Sequence, residues 1–362
     1  LSKLTNLIAK INKDMGEELA TLGIKNYYAE NKIPFSSPKL QWMTYGGIPS
    51  GILMEISGRE GSSKTTLSLD LVANAQRKFP DKSVVYIDAE NTLDANWAEK
   101  IGVDISKLIL LSPTNQSAEW IFSKAIELLD TGEVSLMVID SIGVLVSAQA
   151  LEKTIEEDTM AGIAKALTNF SKQAVGLCKK YGTTLIGINQ VRDVISYGGG
   201  VQTTGGNAWK HTCSIRLQTK RGDYIDEKRK VIAKSAENPY GNLVTVAVLK
   251  TKAFRNDRRV ASYTLTYHEG IDKVNDAIEM AEIVGVISRA GAFYDVTSIA
   301  EGEPKIQGKE KLKTFLESNP EILDKLIERV YTVLNAENTD GENNEVKEEE
   351  IEGENEGETI PF

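Results

Sequence analysis

Apolar positions along this chain gather into four short runs, at 52–56, 83–88, 134–141 and 184–190. Between them the apolar residues recur at helical spacing: Leu67, Leu71 and Ala75 after the first run, then stretches over 118–130 and 163–180. Short continuous runs alternating with helices predict strands covered on both faces, hence an α/β fold with a mainly parallel sheet. Each run ends in polar residues: Asp88 and Glu90, Asp140 and Ser141, Asn189 and Gln190. Open α/β sheets bind their ligands at these carboxyl ends of strands.

The flanks read differently. Leu4, Ile8, Ile11, Met15 and Leu19 make a narrow apolar stripe on one N-terminal helix, with Lys3, Lys10 and Lys13 at polar positions. Residues 31–38 read as a linker, because prolines and serines interrupt the helical period, and the glycines of 46–51 read as a turn into the first strand. After residue 272 come a helix at 275–284, a turn at 289–294 and a helix at 320–334. The expected units are a helix and linker over 1–34, a core over 35–271, a small C-terminal α/β domain over 272–335 and an unfolded tail over 336–362.

Charge changes the picture only at the tail. The chain's net charge is −10, and 336–362 carries eleven acidic residues against Lys347 alone, so the preceding 335 residues balance at zero. Whole-chain acidity is therefore no argument against nucleic-acid binding. The tail is too acidic and too poor in apolar residues to fold. No apolar span approaches the roughly 18 residues of a membrane helix, and residues 1–6 lack the apolar core of a secretion signal. With only Cys178 and Cys213 in the chain, a disulfide framework is not expected, and the location is expected to be cytoplasmic.

The candidate chemistry centres on Gly58-Arg59-Glu60-Gly61-Ser62-Ser63-Lys64-Thr65-Thr66, which joins the first run to a helix. Small residues let backbone N–H groups close around phosphate oxygens at a helix N-terminus. Lys64 would then reach the β- and γ-phosphates of ATP, and the Thr65 hydroxyl would ligate Mg²⁺. Ser63 stands where the G-x-x-x-x-G-K-[ST] pattern has its second glycine. If that position needs positive φ, serine costs about 1 kcal/mol there. A plain Ser/Gly turn is the alternative reading of this stretch alone. Asp140, after four apolar residues, has the form of a Walker B acid completing the Mg²⁺ shell. Glu90 is a candidate general base, with Asp88 its neighbour expected to make a structural hydrogen bond. Gln190 can sense a γ-phosphate without adding charge.

These residues, with Tyr86-Ile87-Asp88-Ala89-Glu90, Val138-Ile139-Asp140-Ser141, Ile188-Asn189-Gln190-Val191-Arg192 and Thr203-Thr204-Gly205-Gly206-Asn207-Ala208, resemble a bacterial or phage RecA-type homologous recombinase. The resemblance implies a RecA-like P-loop ATPase core with an N-terminal helical arm for subunit packing. It implies an ATP-dependent head-to-tail filament on single-stranded DNA that pairs double-stranded DNA and exchanges strands. By position, Lys64 and Thr65 match the nucleotide-binding pair, Glu90 the catalytic glutamate, Asp140 the Walker B acid and Gln190 the link to the DNA loops. Asp94 and Trp97 match the adenine contacts. Lys250 and Lys252 match a pair reaching the γ-phosphate of a neighbouring subunit, as an arginine finger does.

Two segments resemble the DNA-binding loops. The first, over 152–162, carries Met160 as an apolar wedge. The second, over 193–206, carries Ile195 as a wedge and Gly205 and Gly206 as backbone phosphate contacts, with Arg192 and Lys210 flanking it and Asn207 also counted among the DNA-binding residues. Lys305, Lys309, Lys311 and Lys313 form a candidate duplex-binding patch. The stretch 220–243 looks longer and more charged than the family form and reads as an exposed loop, which puts repressor co-cleavage in question. The tail closes on Ile360-Pro361-Phe362, resembling the tip of bacterial single-stranded-DNA-binding proteins, which docks on replication and repair partners. Plain autoinhibition by the acidic tail is the rival. For the whole chain the alternatives are a ring-forming ATPase or helicase motor and a DNA-binding scaffold with weak hydrolysis.

Overall fold

A computed structural model describes residues 9, 10, 13, 31–152, 160–193, 201–203, 206–302 and 305–339. Most of the expected N-terminal helix, the wedge Ile195, Gly205 and the chain beyond Thr339 lie outside the described residues. Strands β1 (Leu53–Gly58), β2 (Ser83–Asp88), β3 (Leu108–Leu111), β4 (Val134–Asp140), β5 (Thr184–Asp193) and β6 (Ile215–Ile225) run parallel in the order β6-β1-β5-β4-β2-β3. Beyond β6 the sheet continues antiparallel through β7 (Gly241–Thr251), β8 (Val260–Thr266) and the short pair Gly270–Ile271.

Besides a short turn of helix at Ala148–Glu152, the described helices are α1 (Pro38–Met43), α2 (Lys64–Lys78), α3 (Ala95–Ile101), α4 (Ala118–Asp130), α5 (Met160–Tyr181), α6 (Gly206–Thr212), α7 (Lys273–Ile283), α8 (Lys309–Ser318) and α9 (Pro320–Thr339). The apolar runs are continuous because the sheet is covered on both sides. Val84, Tyr86, Leu136, Val138, Ile186 and Ile188 face Leu67 and Leu71 of α2. The alternating Val85, Ile87, Met137, Ile139 and Leu185 face α4 and α5, where Phe122 and Phe170 stack at 4.5 Å. Side chains of period two thus fill two separate cores from one set of strands.

Three expectations are corrected. Residues 31–38 are no loose linker: Lys32–Ile33 pairs with Ile48–Pro49, and Ile33 and Phe35 enter the core. Its serines and prolines serve as helix-start residues instead, Ser37 accepting from Leu40 N at 3.5 Å and Pro38 opening α1. The glycine turn that follows is as expected, and a Cβ on Gly47 would fall 2.2 Å from the Ile33 carbonyl oxygen. The stretch 220–243 is loop only between Ile225 and Gly241, since β6 and β7 pair antiparallel on either side. The lysine patch is largely neutralised. Lys305 pairs with Asp295 at 3.3 Å, Lys309 with Glu279 at 2.7 Å, and the buried Lys313 with Asp272 at 2.7 Å.

The pairs of Lys309 and Lys313 belong to a polar seam that fastens α7 and α8 to the sheet. Asp272 caps α7, accepting from Asn275 N, and also receives Arg229 Nε at 2.9 Å. Ser37 Oγ donates to Asp276 Oδ2 at 2.6 Å, and Lys39 binds Glu279. Asp276 and Asp70 are fully enclosed, and burial pushes their carboxyls up to about 7 and about 6. Glu279, although partly desolvated, is held down at about 2 by Lys39 and Lys309. Raised carboxyl values mean the folded chain holds protons that the unfolded chain has released. Stability should therefore rise as pH falls from about 8 to about 5, and Asp276→Asn should flatten that part of the melting-temperature profile. A thermal melt series across this range checks it.

Candidate nucleotide site and nucleic-acid surface

Every polar group of the candidate site hangs from the carboxyl ends of β1, β2, β4 and β5. Register brings Gly58 opposite Gln190 and Asp88 opposite Asp140. Beyond Gly58 the chain turns through a loop that needs two left-handed residues, Gly61 at φ 67° and Ser63 at φ 70°. The conditional cost foreseen at Ser63 therefore applies. Leu67 and Leu71, both fully buried in the turns that follow, contribute about 1.5–3 kcal/mol each and outweigh it. Gly58 is required for another reason: a Cβ there would lie 2.6 Å from the Thr219 carbonyl oxygen. Ser62 Oγ sits 2.9 Å from Thr219 Oγ1 and donates to Arg59 O at 2.7 Å, which ties the loop to β6.

Lys64 Nζ donates to Arg59 O at 2.9 Å, so the ammonium curls over its own loop. Burial lowers its pKa, and the charges of Asp140, Glu90 and Glu60 oppose that shift. Thr65 Oγ1 donates to Asp140 Oδ2 at 2.9 Å. Asp140 is buried, which raises its pKa, while donors Tyr86 and Thr65 pull it back. A hydroxyl and one carboxylate are hard oxygen donors suited to Mg²⁺, which takes its remaining ligands from phosphates and water. Among the described residues no group of three or more His, Cys, Asp or Glu could hold a metal unaided. The pair thus fits Mg²⁺ brought in with a nucleotide.

Glu90 follows β2, and its Oε1 accepts from Ser141 Oγ at 2.8 Å, which places it beside Asp140. Asp88 accepts from Thr92 N at 3.2 Å and Leu93 N at 2.9 Å, the structural role expected of it. Asp94 caps α3 through Asn96 N and Trp97 N, and Trp97 Nε1 donates to Thr66 Oγ1 at 3.2 Å. The indole is thereby fixed to the first turn of α2. On the other side of the loop a cavity of about 440 Å³ is bounded by Arg59, Glu60, Val191, Thr219, Lys220 and Arg221.

Lys250 and Lys252 are not brought to this loop. Lys250 pairs in register with Arg216, which pairs in turn with Glu55, three residues before Gly58. Lys250 Nζ donates to Lys210 O and His211 O at 2.8 Å each, on the last carbonyls of α6. Lys252 is exposed. The candidate DNA residues gather elsewhere. Met160 opens α5, Gly206 and Asn207 open α6, and a Cβ on Gly206 would lie 3.6 Å from that of Ala164. Arg192 lies on β5 where Val191–Asp193 pairs with the short strand Val201–Thr203, so the second loop stands on a hairpin base.

Two family models cover the chain, the RecA N-terminal domain over residues 2–272 and the RecA C-terminal domain over residues 275–335. The chain belongs to the RecA family. It is 34% identical to the RecA protein of Bifidobacterium breve over 331 residues, 90% of this chain and 80% of that protein. It is 34% identical to that of Acidothermus cellulolyticus, covering 91% and 92% of the two chains, and 31% identical to that of Mesoplasma florum, covering 89% and 93%.

Sequence reasoning quoted Tyr86 and Ser141 within their motifs but gave them no role, and it passed over the Glu55–Arg216 pair. Arg216 Nη2 lies 2.9 Å from the fully buried Glu55, which also receives Asn189 Nδ2 at 3.2 Å. A signal existed for Tyr86 and Glu55: a phenol or a charge inside an apolar run costs free energy unless it finds a partner. For the loop, Ser63→Gly should stabilise the fold by roughly 0.5–1 kcal/mol, relief of left-handed strain exceeding the added unfolded-state entropy. Gly58→Ala should destabilise it by roughly 1–3 kcal/mol through overpacking. Urea unfolding of both variants measures the difference.

Proposed function

We propose that this RecA-family protein is an ATP-dependent recombinase that assembles head to tail on single-stranded DNA, pairs it with duplex and exchanges strands. The observation that carries this reading is the Thr65–Asp140 contact at 2.9 Å, beside a strand that runs from Gln190 directly into the hairpin base. One strand thus spans the nucleotide site and the candidate DNA surface. Gly58 to Thr66 would cradle the phosphates of ATP, with Lys64 leaving the Arg59 carbonyl to meet them. Thr65 and Asp140 would hold Mg²⁺, which neutralises charge on the phosphates. Trp97 and Asp94 would wall the adenine.

Glu90, held by Ser141, would orient the attacking water and take up its proton. Gln190 would report the γ-phosphate along β5. Lys250 and Lys252 would act on the neighbouring subunit's nucleotide, a division of labour supported by their distance from their own loop. Met160, Arg192, Ile195, Gly205, Gly206 and Asn207 would contact DNA, the glycines through backbone N–H groups and Met160 and Ile195 as wedges between bases. The two buried free thiols, Cys178 and Cys213, suit a reducing cytoplasm, and no described helix is long and apolar enough to cross a membrane.

ATP hydrolysis measured with and without single-stranded DNA tests the reading. DNA should stimulate turnover, and Lys64→Ala should lower it about 100-fold or more. Absence of both activities in the unmodified chain would overturn it. For the tail, we read Ile360-Pro361-Phe362 as a docking motif, the Phe362 ring entering an apolar pocket on a replication or repair protein while the neighbouring acids meet a basic rim. Removing these three residues should abolish capture of such partners in a pull-down, and an unchanged set of partners would leave the acidic tail an autoinhibitory role alone.

A further inference from the structure

Tyr86 is the one phenol on a face of β2 otherwise built for packing. It is fully buried among Leu67, Leu71, Val84 and Val138, where a phenylalanine ring would fill the same space. A buried hydroxyl costs about 1–3 kcal/mol if left unpaired, so its partner decides its purpose. Ser68 stands beside the hydroxyl, whose own bond goes to Asp140: Tyr86 Oη donates to Oδ2 at 2.7 Å, on the oxygen that also receives Thr65 Oγ1 at 2.9 Å. The Asp140 carbonyl is fixed as well, accepting from Ala89 N at 2.7 Å. Among the described residues the side-chain donors to this carboxylate all converge on Oδ2.

Given the nucleotide-site reading above, on which this rests, we propose that Tyr86 is a positioning residue for Mg²⁺-nucleotide binding. Its hydroxyl pins one oxygen of Asp140 beneath the first turn of α2 and turns the other toward the phosphate loop. A carboxylate has about four acceptor sites, so two donors on one oxygen leave the second open to the metal's water shell. The phenol reaches Asp140 from inside the sheet, where solvent cannot replace it. Packing alone does not ask for that oxygen, because the ring satisfies the core without it.

The test uses the full chain and its Tyr86→Phe variant, with ADP and the slowly hydrolysed ATPγS as probes. Nucleotide binding is followed by calorimetry and by intrinsic tryptophan emission across a Mg²⁺ titration and in EDTA. Removing a hydrogen bond to a charged group should raise the Mg²⁺ concentration for half-maximal binding by about tenfold, while binding in EDTA stays within about twofold. A role in packing would weaken binding equally with and without Mg²⁺, which would overturn the proposal, as would an unchanged midpoint. In the Asp140→Asn background, Tyr86→Phe should add no further shift, and additive shifts would overturn it too. An unmodified chain that binds no nucleotide at any Mg²⁺ concentration would sink the nucleotide-site reading itself. Binding in that chain with an unresponsive variant would sink only the role of Tyr86.

Discussion

A parallel sheet covered on both faces has one place for polar chemistry, the ends of its strands, and the candidate site follows from that constraint. Between β1 and β4 the residues facing α2 or α5 are almost all aliphatic. Polarity begins abruptly at Gly58, Asp88, Asp140 and Gln190, which register places side by side. Since neighbouring strands lie about 4.8 Å apart, groups far apart in sequence meet within side-chain reach there. Two buried exceptions on these strands carry their own partners: Glu55 is met by Arg216 and Asn189, and Tyr86 by Asp140.

The same logic governs the junction with the C-terminal domain, with a different outcome. There the seam is built of carboxylates, with Asp276 enclosed enough to retain its proton near neutrality and Glu279 held ionised by two lysines. Lysines that would advertise a duplex-binding surface are spent on this seam. Lys313 is the clearest case, since only 9% of its side chain is exposed, and its 2.7 Å contact with Asp272 joins α8 to the cap of α7. Charge read along a sequence counts such residues as surface. Burial reassigns them.

That contrast explains what was legible beforehand. The four strand runs and the three helices between them could be read because both faces of the sheet are filled, which leaves a continuous apolar signature. The nucleotide loop and its carboxylates could be read because their spacing in sequence is local to each strand end. The β6–β7–β8 wing was less legible: its strands alternate buried and half-exposed residues and carry charges such as Lys220 and Arg221. Residues 31–38 misled because proline and serine mark both loops and helix starts, and only the burial of Ile33 and Phe35 separates the two. Pairings across the fold, including Tyr86 with Asp140 and Lys313 with Asp272, depend on register and packing that no local pattern encodes.

In the assembly proposed above, the placement of Lys250 would have a consequence. Its ammonium rests on the closing carbonyls of α6, where the helix dipole favours a cation, and burial and the neighbouring Lys252 both lower its pKa. The resting position is thus favoured by the dipole yet opposed by desolvation and like charge. A γ-phosphate presented from outside would offer a stronger counter-charge, and taking it would release the C-terminal end of α6. The N-terminal end of that helix carries Gly206 and Asn207 of the proposed DNA surface. In a head-to-tail filament, a neighbour's nucleotide and the DNA loop would therefore act on opposite ends of one seven-residue helix. So short a rod, anchored at its centre by the buried Trp209 against Gly187, is suited to transmit displacement by tilting as a unit.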